Sequence, residues 1–421
     1  MKKTEGLSVC LAFVASLVLA AEPVDVPELM RTFDGREVKD LATWEKVRKP
    51  ELKRYFIENM FGVRPPTAEK PEVAFEPAAP DKVMPGGKVV RKMMRITCHG
   101  PYGDLSFVAT AFIPDSRSPV PSFLLISGRN PEKDLDPEQK IRSGFWPVEE
   151  IVGRGYAAIA FFHGDIAPDN GNPETAHLTG VFPCYELATN RNDSSWATLS
   201  AWAWGASRVM DWIGTEPLLD EKRVAVVGQS RGGKTALLAG VTDERFAMIC
   251  ANDSGNAGAK LSSIDLPLSQ FYAEYAVSRF TYWFCGNFWK CFANRDRRID
   301  KAEEFHAWHP ASKRLEVDQH EWIALLAPRL VAVASATDDP WAGPEGEFHA
   351  ARLASPAWEL YGEKGLCASR FPQPMQHLKD GCVSYHLREG KHALTPYDWR
   401  CYMDFADKHG WNSSSSTTND R

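Results

Sequence analysis

The sequence predicts an α/β fold: a doubly wound, mostly parallel sheet with helices on both faces and one long insertion over the strand ends. Three observations predict it. Apolar, β-branched runs alternate with segments of helical periodicity, the pattern of repeated strand–helix–strand units. The later runs end in small polar clusters: Asn252-Asp253-Ser254-Gly255, Thr337-Asp338-Asp339-Pro340-Trp341 and Glu389-Gly390-Lys391-His392. Open sheets of this class carry their chemistry at such strand ends. Finally, Val224–Thr235 reads as a strand, a glycine-rich turn and the start of a helix.

Taken in order, Lys2 and Lys3 precede an apolar run, Leu7–Ala21, that closes on small residues. This is the layout of a secretory leader cleaved after Ala20 or Ala21, and the run is too short to span a membrane. Residues 1–21 are therefore expected to be a signal peptide, 22–411 one domain, and 412–421, with its four consecutive serines, a disordered tail. Leu41–Asn59 has the pattern of an amphipathic helix broken or restarted at Pro50. Pro65–Gly87 is rich in proline and glycine and is expected to be irregular. Strands follow at Lys88–Cys98 and Leu105–Ile113, with a turn at Gly100–Gly103, then at Pro121–Ser127 and Tyr156–Phe162. Ser194–Gly214 should be a helix capped by Asp193 or Ser194. The remaining strands are Val224–Gly228, Phe246–Ala251, Arg329–Ala336 and Ser384–Arg388. Gly255–Glu321, rich in Phe, Tyr and Trp, is too long for an ordinary connection and is expected to wall a pocket above the strand ends.

Composition narrows the class of function. Apolar residues make up 44% of the 421-residue chain, enough for a large core, and the net charge of −6 is spread without long runs. A nucleic-acid partner is not expected, nor a membrane partner once the leader is gone. The chain is expected to be soluble, monomeric, and secreted or periplasmic. Fourteen tryptophans are many. Most should be core, with some exposed, because aromatic faces suit the apolar faces of sugar rings. Eight cysteines remain beyond Cys10 and permit disulfides, while Cys250 reads as a small core residue. No C-x-x-C or H-E-x-x-H occurs, so neither a metal site nor a cofactor is expected.

The stretch Gly228-Gln229-Ser230-Arg231-Gly232-Gly233-Lys234-Thr235 satisfies two catalytic motifs. Gly228, Ser230 and Gly232 fit the G-x-S-x-G nucleophile elbow of α/β-hydrolases; Gly228, Gly233, Lys234 and Thr235 fit a phosphate-cradling P-loop. A P-loop closes the first strand of its domain, whereas here some two hundred residues come first, and nucleotides are scarce outside the cytoplasm. An elbow follows several strands, as this one does, with an acid and then a histidine downstream. The strand ends carry Ser230, Asp253, Asp338 and Asp339, and His392 in that order. Serine needs a histidine to take its proton, and the imidazolium needs a carboxylate. His386, inside a strand, reads as structural, and Asp318 with His320 as a hydrogen-bonded structural pair.

This constellation resembles the glucuronoyl esterases, carbohydrate esterase family 15, whose nucleophile motif is G-x-S-R-x-G-K. The likeness runs from the first strands through Lys408 and is strongest in Gly228–Gly240, Asn252–Gly255, Val317–Arg329, Ala334–Glu347 and Tyr385–Trp399. It implies Ser230 as nucleophile, His392 as general base, and Arg231 as an oxyanion donor. Lys234 and Trp341 are implied as sugar contacts. The acid falls at either of two family positions, Asp339 or Asp253; Asp339 is preferred, with Asp338 and Glu345 behind. Many relatives carry a glutamate shortly after the Ser-Gly that follows the first acid. Leu261–Gln270 has none, and Glu274 fits the spacing poorly. The expected activity is hydrolysis of esters of 4-O-methyl-glucuronic acid that join glucuronoxylan to lignin alcohols. An acetylxylan or other carbohydrate esterase is the alternative, and a non-catalytic carbohydrate-binding protein a more distant one.

Overall fold

A computed structural model describes residues 26–172, 174–263, 280–288 and 316–412. The leader, Glu274, Cys291, the tail beyond Asn412 and most of the Gly255–Glu321 insertion lie outside the described residues.

Ten strands form one sheet in the order β1-β2-β3-β5-β4-β6-β7-β8-β10-β9. They are β1 (Glu72–Val83), β2 (Val89–Gly100), β3 (Gly103–Pro114), β4 (Val120–Ser127), β5 (Ala157–Phe162), β6 (Leu219–Gln229), β7 (Met248–Asn252), β8 (Leu330–Ala336), β9 (His377–Leu378) and β10 (Val383–Arg388). Strands β5, β4, β6, β7, β8 and β10 are mutually parallel, and antiparallel strands flank them on both sides. This is the expected doubly wound, mostly parallel sheet. β4, β7, β8 and β10 are buried along their whole length; β4, β7 and β8 accordingly read as largely apolar runs, whereas β10 alternates and buries Ser384, His386 and Arg388 as well.

Two expectations are corrected, and a third, the Leu41–Asn59 helix restarted at Pro50, is borne out. Most of Pro65–Gly87 is ordered as the edge strand β1, paired with β2 and interrupted by register shifts at Pro77/Ala79 and Ala79/Lys82. Proline lacks an N–H, but an edge strand can leave that side of its ladder open, so the composition did not forbid a strand. The helix expected from Ser194 begins instead at Thr198, with Ala197 as N-cap. Trp196 N–H donates to Val63 O at 3.1 Å and Ala197 N–H to Phe61 O at 3.1 Å, and this pairing holds the chain extended past Asp193 and Ser194. The Leu41–Asn59 segment is helical throughout, as α and π turns from Leu41 to Phe61, with Pro50 in the first turn of the Lys49–Phe56 piece, where a missing N–H does no harm.

Helix α1 (Thr198–Ile213) is buried at every position but Asp211, as an all-round apolar helix must be. It packs on α2 (Arg231–Thr242), which lies against β6 and β7. Trp44, Trp202, Trp322 and Trp399 are buried, as expected of most tryptophans, and Cys250 is buried in β7. Seven cysteines among the described residues are free thiols. Among the described residues no helix is long and apolar enough to cross a membrane.

Candidate active site

Strand β6 delivers Ser230 to a turn that only a short list of residues can build. Ser230 has φ 60° and ψ −121°, a strained conformation costing on the order of 1–3 kcal/mol. Its N–H donates to Asn252 O at 2.8 Å, which ties the turn to the end of β7. A Cβ on Gly228 would sit 2.0 Å from Gly232 O; the chain crosses itself too closely there for any side chain. Helix α2 starts immediately after Ser230, so its amino-terminal N–H groups and dipole meet the space beside the hydroxyl.

The other expected residues arrive at the same end of the sheet. His392 Nδ1 is 2.5 Å from Asp339 Oδ2, with the carboxylate buried and the imidazole exposed. Asp339 Oδ1 accepts from Ala342 N–H at 3.2 Å, which fixes the carboxylate's aim. Asp253 is buried, and its Oδ2 accepts from Ala393 N–H at 3.1 Å and from Arg388 Nη2 at 3.4 Å. One donor atom each of Asp253, Asp339 and His392 lies within 4.8 Å of the others. The two acids thus differ in what they hold: Asp339 the imidazole, Asp253 the backbone just after it. Burial, then the nearby charges of Asp339 and Glu347, push Asp253 well above the usual carboxylate range. Ser230 Oγ and His392 are not hydrogen-bonded to each other in this structure. Asp338 and Glu345, the weaker acid candidates, are exposed.

Arg231 turns its guanidinium to Asp169, with which it forms an ion pair. Trp283 lies 5.3 Å and Phe280 6.0 Å beneath the cation. Asp169 also accepts from Tyr282 Oη and, at 2.9 Å, from Trp283 Nε1. Burial alone would raise this carboxyl, but the charge of Arg231 and those hydrogen bonds hold it below its ordinary value. The described piece of the insertion therefore walls the site, as expected. Lys234 donates from Nζ to Ser254 O. Burial lowers its ammonium to about 8, against the attraction of Glu347. Trp341 is exposed on the loop between Asp339 and Ala342.

Sequence reasoning missed Asp169, Glu347 and Arg388. Glu347 is fully buried and accepts from Ser254 Oγ at 2.7 Å, Gly255 N–H at 2.8 Å and Ser335 Oγ at 2.6 Å. Burial raises it to about 7. The only signal available for it was an acid on the inward face of an amphipathic helix, α3 (Pro344–Leu353). His386 is structural, bonded through Nε2 to Asp398 Oδ1 at 2.9 Å. Asp318 and His320 are structural as well, but they are not a pair. Asp318 caps helix α4 (Gln319–Ala324) and accepts from Ser262 and Ser263 N–H, whereas His320 Nε2 meets Pro27 O at 3.0 Å. Of the segment expected to lack a glutamate, Leu261–Ser263 is described.

Comparison with known proteins decides the family. A family model described as glucuronyl esterase, fungi, matches residues 105–362. A carbohydrate esterase from an unknown prokaryotic organism is 32% identical over 91% of this chain and 89% of its own length. The chain belongs to the glucuronoyl esterase family. A glucuronoyl esterase from Solibacter usitatus superposes with a TM-score of 0.77 at 31% identity, covering 91% of this chain and 97% of that one. A promiscuous esterase of carbohydrate esterase family 15 from a marine bacterial metagenome gives 0.74 at 30% identity, over 92% and 97%. Membership makes the chain a carboxylic ester hydrolase with the α/β-hydrolase fold. The P-loop reading of Gly228–Thr235 falls away with it.

Proposed function

We propose that this chain is an exported serine esterase that hydrolyses esters of glucuronic acid, with residues 22–411 as its catalytic domain. The observation that carries the mechanism is the 2.5 Å contact of His392 Nδ1 with buried Asp339, at the sheet end where β6 presents Ser230. Nδ1–H donates to the carboxylate, which leaves Nε2 as the base and stabilises the imidazolium once it forms. Ser230 Oγ attacks the uronate carbonyl as His392 takes its proton. The oxyanion gathers charge beside the N–H groups that open α2 and beside Arg231, held in place by Asp169 and Trp283. His392 returns the proton to the departing alcohol; water activated by the same base then releases the acid from the acyl-enzyme. Lys234 and Trp341 offer a hydrogen-bond donor and an aromatic face to the sugar.

The substrate class rests on the family and on the Ser-Arg-x-Gly-Lys sequence of the elbow. A 4-O-methyl-glucuronoyl methylesterase from Cerrena unicolor is 27% identical over 50% of this chain and 41% of its own length. The natural target on this reading is the uronate side group of glucuronoxylan esterified to lignin alcohols. The test compares hydrolysis of benzyl glucuronate with that of an acetylated sugar ester, in the native chain and in Ser230→Ala. Faster cleavage of the uronate ester, abolished by the alanine, supports the proposal. Faster acetate release retains Ser230 but moves the enzyme to acetyl esters. Turnover of neither, or turnover that survives Ser230→Ala, refutes the mechanism.

A further inference from the structure

A second cluster of chemistry-bearing side chains lies at the β9 edge of the sheet, outside the site described above. His377 of β9 and His386 of β10 are direct register partners across an antiparallel ladder, so both imidazoles leave the sheet on one face. Cys401 comes from α5 (Pro396–Lys408), which packs on β10. One donor atom of each of these three residues lies within 4.8 Å of the other two.

The hydrogen bonding of the cluster is incomplete in a particular way. His386 is fully buried, and its Nε2 faces Asp398 Oδ1 at 2.9 Å. Asp398 also accepts from Arg388 Nε at 3.1 Å and from Thr395. With Asp398 acting as the acceptor in each of these contacts, His386 places its ring proton on Nε2, and Nδ1 is left as a lone pair. That Nδ1 is buried without a hydrogen-bond partner, and so is Nε2 of His377. Buried polar atoms in folded proteins almost always have partners, and two unpaired ring nitrogens beside a buried thiol call for one. A carboxylate behind a histidine whose other nitrogen has no hydrogen-bond partner is the arrangement that orients imidazoles toward metals.

We propose that His377, His386 and Cys401 bind one borderline-soft divalent cation, Zn²⁺, with Asp398 as the positioning residue for His386. Two imidazoles and one sulfur suit that ion better than Mg²⁺ or Ca²⁺, which take oxygen donors. Tetrahedral Zn²⁺ with bonds of about 2.0–2.3 Å needs donors roughly 3.3–3.8 Å apart, within the reach of this cluster after small rotamer shifts. On binding, a sulfur–metal bond forms, the Cys401 thiol proton leaves to solvent, and nothing is oxidised or reduced. His377 is only partly buried, so a water molecule completes the coordination from its exposed side. Lys379 and Lys408 stand nearby, but each is paired, with Asp404 at 3.5 Å and with Asp380 at 2.5 Å, so their charge is offset. The histidines and the cysteine are 9 and 15 residues apart along the chain, which is why no metal motif marks them.

The experiment uses the full chain freed of metal with a chelator, then titrated with Zn²⁺ by calorimetry and with Co²⁺ by absorption. One equivalent should bind, and Co²⁺ should produce a thiolate-to-metal charge-transfer band. Cys401→Ser should lose the band, and His377→Gln should weaken Zn²⁺ binding by more than the roughly 10–100-fold typical of an outer-shell change. Asp253, Asp339 and His392 hold no sulfur, so binding at that group gives no such band. The absence of any band in the native chain, or binding unchanged in both variants, overturns the proposal. Retained esterase activity reports that a variant has folded. His377→Gln, on a two-residue edge strand, decides the matter should Cys401→Ser not fold.

Discussion

Replacing Asp339 by asparagine separates the two carboxylates at this site. The change keeps the shape and one acceptor, but removes the charge 2.5 Å from His392 Nδ1. An amide there neither fixes the productive tautomer nor stabilises the imidazolium. The drop in kcat should be about 10³–10⁴-fold, or roughly 4–5.5 kcal/mol of barrier. Asp253 cannot simply take over. One of its oxygens is committed to Ala393 N–H and Arg388, and burial with neighbouring acids holds it well above the usual carboxylate range. Removing the Asp339 charge relieves one of those causes and leaves the larger, burial, in place. Residual activity of Asp339→Asn should therefore rise with pH as Asp253 ionises, and this rise should vanish in Asp253→Asn/Asp339→Asn. Asp253→Asn alone should cost less than about tenfold, ~1.4 kcal/mol. The assay is steady-state hydrolysis of benzyl glucuronate from pH 5 to about 9. A larger loss from Asp253→Asn than from Asp339→Asn would refute the assignment.

Gly228→Ala should destabilise the fold by about 3 kcal/mol, because its Cβ would lie 2.0 Å from Gly232 O; a lowered melting temperature with loss of fluorophosphonate labelling at Ser230 checks this. Lys234 is an ammonium only below about 8, so KM for a uronate ester should rise as pH passes that value, and Lys234→Gln should abolish the dependence while leaving kcat less affected. Glu347, raised from 4.5 to about 7 in the folded state, contributes stability that is full below 4.5 and lost as pH rises through 7. Urea unfolding of Glu347→Gln should lack this loss, which amounts to about 3 kcal/mol in the native chain.

Much of the fold was legible because its signals are local. A parallel strand covered on both faces is mostly apolar, so β4, β7 and β8 stood out as runs. The elbow was legible because a Cβ on Gly228 would lie 2.0 Å from Gly232 O, so that position is held to glycine and marks the turn. The edge strand β1 was hidden, since its prolines look like loop residues until a ladder on one side only is known to exist. The start of α1 was hidden for a similar reason: residues 61 and 63, far away in the chain, hold Trp196 and Ala197 extended.

At the site, residue types and their order were enough to bring forward Ser230, Asp253, Asp338 or Asp339, and His392, and the family resemblance added Arg231, Lys234 and Trp341. They could not say which acid touches the imidazole, because both Asp253 and Asp339 stand just past a strand end, and which of them meets the ring depends on where those strands place them. The side-by-side stacking of β6, β7, β8 and β10 made that choice, putting Asp339 on the ring and Asp253 on the backbone beyond it. Nor could the chain announce that Asp169 would anchor Arg231, or that His377, His386 and Cys401 would meet. Those contacts join residues 9 to 62 positions apart, and no periodicity or motif records a contact that exists only once the elements have packed.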